Sequence, residues 1–223
     1  MKIAKFKVIY VVTMIIIILI IPTLIGIKAT NTNKIINKYI VLGDDVSFES
    51  ENCYEVSYIT LIKDFFKAIN SNLNYRNLSE KSMTSSDLLN LINLKKNEIK
   101  NADLIVLSIG VNNVLNTVIQ KLCNELDLNI ESLKNYDETT FDLIIGKYLN
   151  GEEINLEVAK EIEKFKKDFP NIIDNIKNLS PNAEIYVNTV YNPINKKGGI
   201  YEYFNERIKS INEVITKYYN KYN

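Results

Sequence analysis

The stretch ADLIVLSIG, Ala102 to Gly110, constrains the fold of this chain more than any other part of it. It is apolar without interruption from Leu104 to Leu107. A strand wetted on one face alternates apolar and polar residues, whereas a strand buried on both faces of a parallel sheet does not. Amphipathic stretches flank it. Upstream, SSDLLNLINLKKNEIK opens with Ser and Asp capping candidates and continues with apolar residues at helical spacing. Downstream, a helix is expected from about Asn113 to Leu126. A buried strand between two such helices predicts an α/β domain with a mostly parallel sheet.

The rest of the chain continues the alternation. Tyr39-Ile40-Val41-Leu42 reads as the first strand and stops at Gly43-Asp44-Asp45. VSYITLIKDFFKAIN reads as a helix and NYRNLS as a short strand. Residues 127–156 are mixed and polar, in keeping with short helices and loops. EVAKEIEKFKKDFPNIIDNIKNLSP is helical, with an interruption expected near Pro170. AEIYVNTVYNP is a further strand and YEYFNERIKSINEVITKYYNKYN a final amphipathic helix. Ligands of open parallel sheets bind beyond the carboxyl ends of the strands. Three such ends therefore matter: Gly43-Asp44-Asp45, Gly110-Val111-Asn112-Asn113, and Asn188 to Asn192. They are expected at one edge of the sheet, as one site.

Composition removes several functions. The 27 basic residues balance 27 acidic ones with no polybasic face, which argues against a nucleic-acid partner. Histidine is absent, so no His general base, proton shuttle or metal ligand exists in this sequence. Cys53 and Cys123 are far apart and lack metal-site or redox spacing; they either pair with each other or remain thiols. No cofactor or metal is expected. The aromatic residues Tyr201, Tyr203, Phe204, Tyr218, Tyr219 and Tyr222 fall at helical spacing, which favours packing over a binding surface.

The N-terminus carries a different signal. Lys2, Lys5 and Lys7 precede an uncharged run from Val8 to Ile27. Twenty helical residues span about 30 Å, the thickness of a bilayer core. Residues 8–27 are thus expected to form a transmembrane anchor, with the bilayer as partner, and 28–37 a polar tether to a domain at 38–223. The lysines predict a single-pass protein of the cell membrane, with a cytoplasmic N-terminus and the domain outside. Pro22 bends such a helix without excluding it. The alternative is a signal peptide and a secreted domain; the site Ile27-Lys28-Ala29 fits cleavage poorly. Oligomeric state is left open.

Four blocks together resemble a known family. VLGDDVSF, NLSEKSMTSSDLLNLI, SIGVNN and SPNAEIYVNTVYNPI with FNERIKSINEVI are similar, in order and spacing, to the SGNH or GDSL esterases and lipases over about residues 38–221. The resemblance implies a three-layer α/β/α, flavodoxin-like fold. It also implies an acyl-ester or carbohydrate-ester ligand. In that family a strand ends in Gly-Asp-Ser with a nucleophilic serine. A second-block glycine amide and the Asn of Gly-x-Asn-Asp hold the oxyanion, and a C-terminal Asp-x-x-His supplies the base. Carried over, Gly43 and Asp44 form the motif turn, and Asp45 stands at the nucleophile position. Ser82, Gly110 and Asn112 stand at the oxyanion-hole positions, and Asn113 replaces the aspartate. The final strand and the Asp-x-x-His block are not found within residues 1–223, so an open sheet edge is expected.

Several readings follow for Asp45. It is a turn residue; or a carboxylate resting in the oxyanion hole; or a covalent nucleophile, which still lacks a base for the second step; or, with Asp44 and Asn112, a cation ligand. Asn112 or Asn113 is also a candidate N-cap, and Ser47 a displaced nucleophile without an activator. At the level of the whole protein, the leading expectation is an anchored esterase-like domain without catalysis. The alternatives are an active acylhydrolase completed by unusual or external groups, and an unrelated α/β interaction module.

Overall fold

The computed structural model describes residues 35–49, 57–127, 129, 146–149, 151–194 and 198–222, with residues 219–222 as backbone only. The chain divides into two units, 1–35 and 36–223, and the architecture below is that of the second. The proposed anchor at 8–27 and Cys53 lie outside the described residues, while Cys123 carries a free, half-buried thiol. Among the described residues no helix is long and apolar enough to cross a membrane.

The element order is β1 (Lys38–Gly43), α1 (Tyr58–Ile69), β2 (Asn74–Asn77), α2 (Ser85–Leu94), α3 (Lys96–Ile99), β3 (Leu104–Ser108), α4 (Val111–Leu126), α5 (Glu152–Leu179), β4 (Glu184–Val187) and α6 (Gly199–Tyr222). The four strands form one sheet in the order β2-β1-β3-β4. All three pairings are parallel, with Ile40 opposite Ile105 and Ile105 opposite Ile185. Strand-helix alternation with this order makes the mostly parallel α/β sheet that the sequence predicts.

Alternation along the strands splits the interior in two. Ile40, Leu42, Ile105 and Leu107 point into the larger core, which they share with α2, α4, α5 and α6. Tyr39, Val41, Leu104 and Val106 point to the other face, where Ile59 of α1 covers them. Side chains two residues apart share a face, so β1 is apolar at every position from Tyr39 to Leu42 and β3 from Leu104 to Leu107. The edge strands are not: β2 and β4 both alternate exposed and half-buried residues.

Local chemistry sets the helix ends. Thr84 and Asp87 form a reciprocal capping box at the start of α2, one residue before the expected Ser-Ser-Asp start. Ser180 Oγ donates to Ile99 O (2.8 Å) and accepts from Ala102 N (3.0 Å), tying the end of α5 to the approach to β3.

Two expectations are corrected. The interruption at Pro170 does not occur: α5 runs unbroken through it from Glu152 to Leu179. Phe165, Phe169, Ile172, Ile173 and Ile176, all buried around the proline, hold the helix in register despite one missing donor. Helix α4 starts at Val111, not Asn113, with Gly110 in the cap position. Neither Asn112 nor Asn113 is therefore an N-cap. Of the aromatic set, Tyr203 and Phe204 are core residues and Tyr218 packs against the core, as packing predicts. The side chains of Tyr219 and Tyr222 lie outside the described residues.

Candidate functional site at the carboxyl ends of the strands

The turn after β1 is built on one glycine. Gly43 has φ +133°, and a Cβ there would lie 1.8 Å from the carbonyl oxygen of Ser108. Only a residue without a side chain fits both conditions. This close approach brings the ends of β1 and β3 together, and Asp44 N donates to Ser108 O at 2.9 Å. The same turn sends the two adjacent carboxylates in opposite directions. Asp44 is buried and Asp45 is exposed at the strand ends.

Asp45 meets two donors there. Its Oδ2 accepts from Asn112 Nδ2 at 2.8 Å and from the backbone N–H of Ser82 at 2.9 Å. Ser82 takes a left-handed conformation (φ 58°), which its position at the glycine block made questionable for a side-chain-bearing residue. Asn116 of α4 holds it there by donating from Nδ2 to Ser82 O at 2.9 Å. Asn112, on the first turn of α4, is itself buried, so its amide is presented in a fixed direction. Gly110 has φ +128°, and a Cβ there would come within 2.9 Å of both Phe165 and Ile211 side chains. Its part is to aim α4, and with it Asn112, toward Asp45.

Asn113 has another task. Its Oδ1 accepts from Ser85 N (3.1 Å) and its Nδ2 donates to Ser85 Oγ (3.0 Å). Ser85 Oγ and Ser86 Oγ both donate to Asp168 Oδ2, at 2.8 and 2.7 Å. These bonds join the starts of α2 and α4 to the middle of α5 and brace the loop that carries Ser82.

Beneath the turn lies a second polar group. Asp44 Oδ1 accepts from Ser108 Oγ (3.2 Å) and from Val46 N (3.3 Å). Its Oδ2 is buried and has no hydrogen-bond partner among the described residues. Burial, more than any other factor, raises the Asp44 pKa to about 7, and the neighbouring Asp45 adds to the rise. Ser47 is buried and shares a 2.9 Å hydrogen bond with the Tyr58 hydroxyl. Asn188 Nδ2, at the end of β4, donates to the same hydroxyl at 2.6 Å. Burial pushes the Tyr58 phenol up, and the charge of Asp44 adds to this. Ser47 thus faces the half-buried Tyr58 and not the Asp45 cradle.

The three strand ends do meet at one edge, but they divide into two sets. Asp45, Ser82 and Asn112 form an open cradle. Below it, Asp44 pairs with Ser108, and Ser47 and Asn188 both bond the half-buried Tyr58 hydroxyl. Sequence reasoning missed Tyr58, Ser108 and Asn116. Ser108 had a signal, as the lone hydroxyl in an apolar run; Tyr58 and Asn116 are polar residues on helices and had none. Among the described residues no group of three or more His, Cys, Asp or Glu side chains is placed to hold a metal ion.

Chemically, the cradle is a pair of preorganised N–H donors converging on one oxygen, the arrangement that stabilises an oxyanion in acyl transfer. Here the oxygen belongs to the protein. No family model matches the sequence, and no curated protein does. The structure, however, is similar to a solved phospholipase and a solved lipase. A phospholipase A1 from Streptomyces albidoflavus superposes with a TM-score of 0.51 at 16% identity, over 82% of this chain and 75% of that one. The lipase Lip_vut3 from a goat rumen metagenome also gives a TM-score of 0.51 at 16% identity, over 81% and 74%. The fold is therefore one shared with this phospholipase and this lipase.

Proposed function

We propose that this protein is a membrane-anchored, extracytoplasmic SGNH-like domain that does not hydrolyse esters, and that Asp45 permanently fills its oxyanion hole. The observation that carries this reading is the contact of Asp45 Oδ2 with Asn112 Nδ2 and Ser82 N, at 2.8 and 2.9 Å. An incoming acyl group needs those same two donors for its developing negative charge. A fixed carboxylate holds them in the ground state and repels a second anion. The sequence reinforces the point, because an ester hydrolase of this kind needs a general base and this one has no histidine. Anchoring rests on the uncharged run Val8–Ile27 behind three lysines.

The experiment is hydrolysis of p-nitrophenyl acetate and butyrate by the full chain in nanodiscs. The expected rate equals that of empty nanodiscs, and Asp45→Ala and Asn112→Ala leave it unchanged. Turnover above that background which either substitution abolishes overturns the reading.

A further inference from the structure

Helix α1 is apolar on a second side that its own core does not use. Ile59 is buried, and Ile62 and Phe66 pack beside it over Tyr39 and Val41 of β1 and Leu104 and Val106 of β3. Leu61, Phe65 and Ile69 recur every four residues, so they form one stripe along the helix. Leu61 is 60% exposed, and Phe65 and Ile69 are 61% exposed each. A helix that serves only a core turns polar residues outward. The exposed residues beside the stripe, Asp64 and Lys67, are of opposite sign, so the surface carries no net charge. The core beneath α1 takes residues from β1, β2 and β3, so the stripe is no part of the β4 edge.

The chain enters the domain at this helix. Asn70, at the C-terminus of α1, donates from Nδ2 to Ile36 O at 3.1 Å and to Asn37 Oδ1 at 3.0 Å. Ile36 is itself buried in the core beneath α1. The segment that leads into β1 is thus fixed one residue beyond Ile69. From Ile27, the last residue of the uncharged run, to Ile36 is nine residues, at most about 32 Å when fully extended.

The chemistry of the stripe selects its occupant. Residues 28–34, KATNTNK, are polar and offer an apolar surface little. A second copy needs area: each partner of a stable dimer buries roughly 800 Å², and three side chains, even at about 200 Å² each, do not reach it. A bilayer requires neither a large area nor a matching shape. It takes an amphipathic helix lying in its interface, with the apolar side chains about 5–10 Å deep. Leu61 and Ile69 are about 12 Å apart along the helix axis, so all three side chains meet a flat surface together. We propose that Leu61, Phe65 and Ile69 insert into the headgroup–acyl boundary of the bilayer that holds residues 8–27, so that the domain rests on the membrane by the α1 face. This rests on the anchoring reading, which supplies the proximity. Because the stripe is uncharged, zwitterionic lipid suffices.

The chain has no tryptophan, so a single introduced indole reports its own surroundings. Phe65→Trp, Leu94→Trp and Ile17→Trp are each made in the full chain and reconstituted in phosphatidylcholine vesicles with and without dibromo-phosphatidylcholine, whose bromines quench an indole on contact. Leu94, 82% exposed on α2 at the other face of the sheet, is the control, and Ile17 reports the span. Phe65→Trp is expected to lose about half its emission to the brominated lipid, and Leu94→Trp about a tenth or less. Quenching of Ile17→Trp without quenching of Phe65→Trp overturns the inference and leaves the anchor standing. The reverse result overturns the anchor and leaves the inference standing, and quenching of neither overturns both. Emission from Phe65→Trp that is blue-shifted yet unquenched also overturns the inference, because protein then covers the stripe: a partner, a second copy or this chain's own residues. Equal quenching of Leu94→Trp overturns it too, since the domain then has no fixed face toward the lipid. If Phe65→Trp does not fold, Leu61→Trp is read in its place.

Discussion

Asp44 and Asp45 are adjacent carboxylates in opposite surroundings, and the difference is made by Gly43. The positive φ of Gly43 and its contact with Ser108 O leave no room for a methyl group. Gly43→Ala is expected to cost about 4 kcal/mol or more, read from urea unfolding, because strain and a backbone clash add. Asp44 yields a pH prediction. Its pKa rises from the ordinary 3.8 to about 7, chiefly through burial. Between those values the unfolded chain releases this proton while the folded chain keeps it. The folded state then binds more protons, so this group makes stability fall as pH rises from about 4 to 7, and the loss levels off above 7. The slope is at most about 1.4 kcal/mol per pH unit. Asp44→Asn, compared with the parent by urea unfolding at pH 5 and pH 7.5, is expected to remove that fall; an unchanged difference between the two pH values refutes it. Glu49 shows the opposite balance. Burial alone would raise it, but hydrogen bonds from Tyr75, Thr60 and Asn77 prevail and its pKa is lowered.

At the scale of elements, most helices and strands were legible because their signals are local. The unbroken apolar run of β3 and the spacing of Ile59, Ile62 and Phe66 on α1 are such signals. The misreadings occurred where tertiary contacts outweighed a local rule. Pro170 should break α5, yet buried neighbours on both sides of it keep the helix continuous. Pro170→Ala is accordingly expected to stabilise the protein, by about 1–3 kcal/mol, seen as a higher urea midpoint. A lower midpoint would show that α5 requires the proline. The start of α4 was read two residues late because Asn is a good N-cap. Asn112 and Asn113 are instead taken by Asp45 and Ser85, and Gly110 turns the chain without a side-chain cap.

At the scale of the whole molecule, the sheet has a central pair of strands buried on both faces and two unequal edges. Both edge strands are four residues long, and the β2 edge is polar, with the sequence NYRN. The β4 edge borders an apolar groove. The proposed anchor is tested at this scale. After a sodium carbonate wash the full chain is expected in the membrane pellet with its N-terminal segment intact. A soluble product beginning near Ala29 would instead mark residues 8–27 as a cleaved signal. Sequence alone determined the alternation of elements, the glycine turn at the end of β1, the missing histidine and the positions that line the strand ends, because each depends on residue type or on spacing over a few residues. Tertiary structure decided which of those positions touch. The Asp45 contacts join residues 37 and 67 positions apart, and the contact of Asp44 with Ser108 joins residues 64 apart. No local period encodes such closures. They arise because parallel pairing aligns the strand ends, and the buried faces of α2 and α4 then leave Ser82 N and Asn112 Nδ2 one direction in which to point.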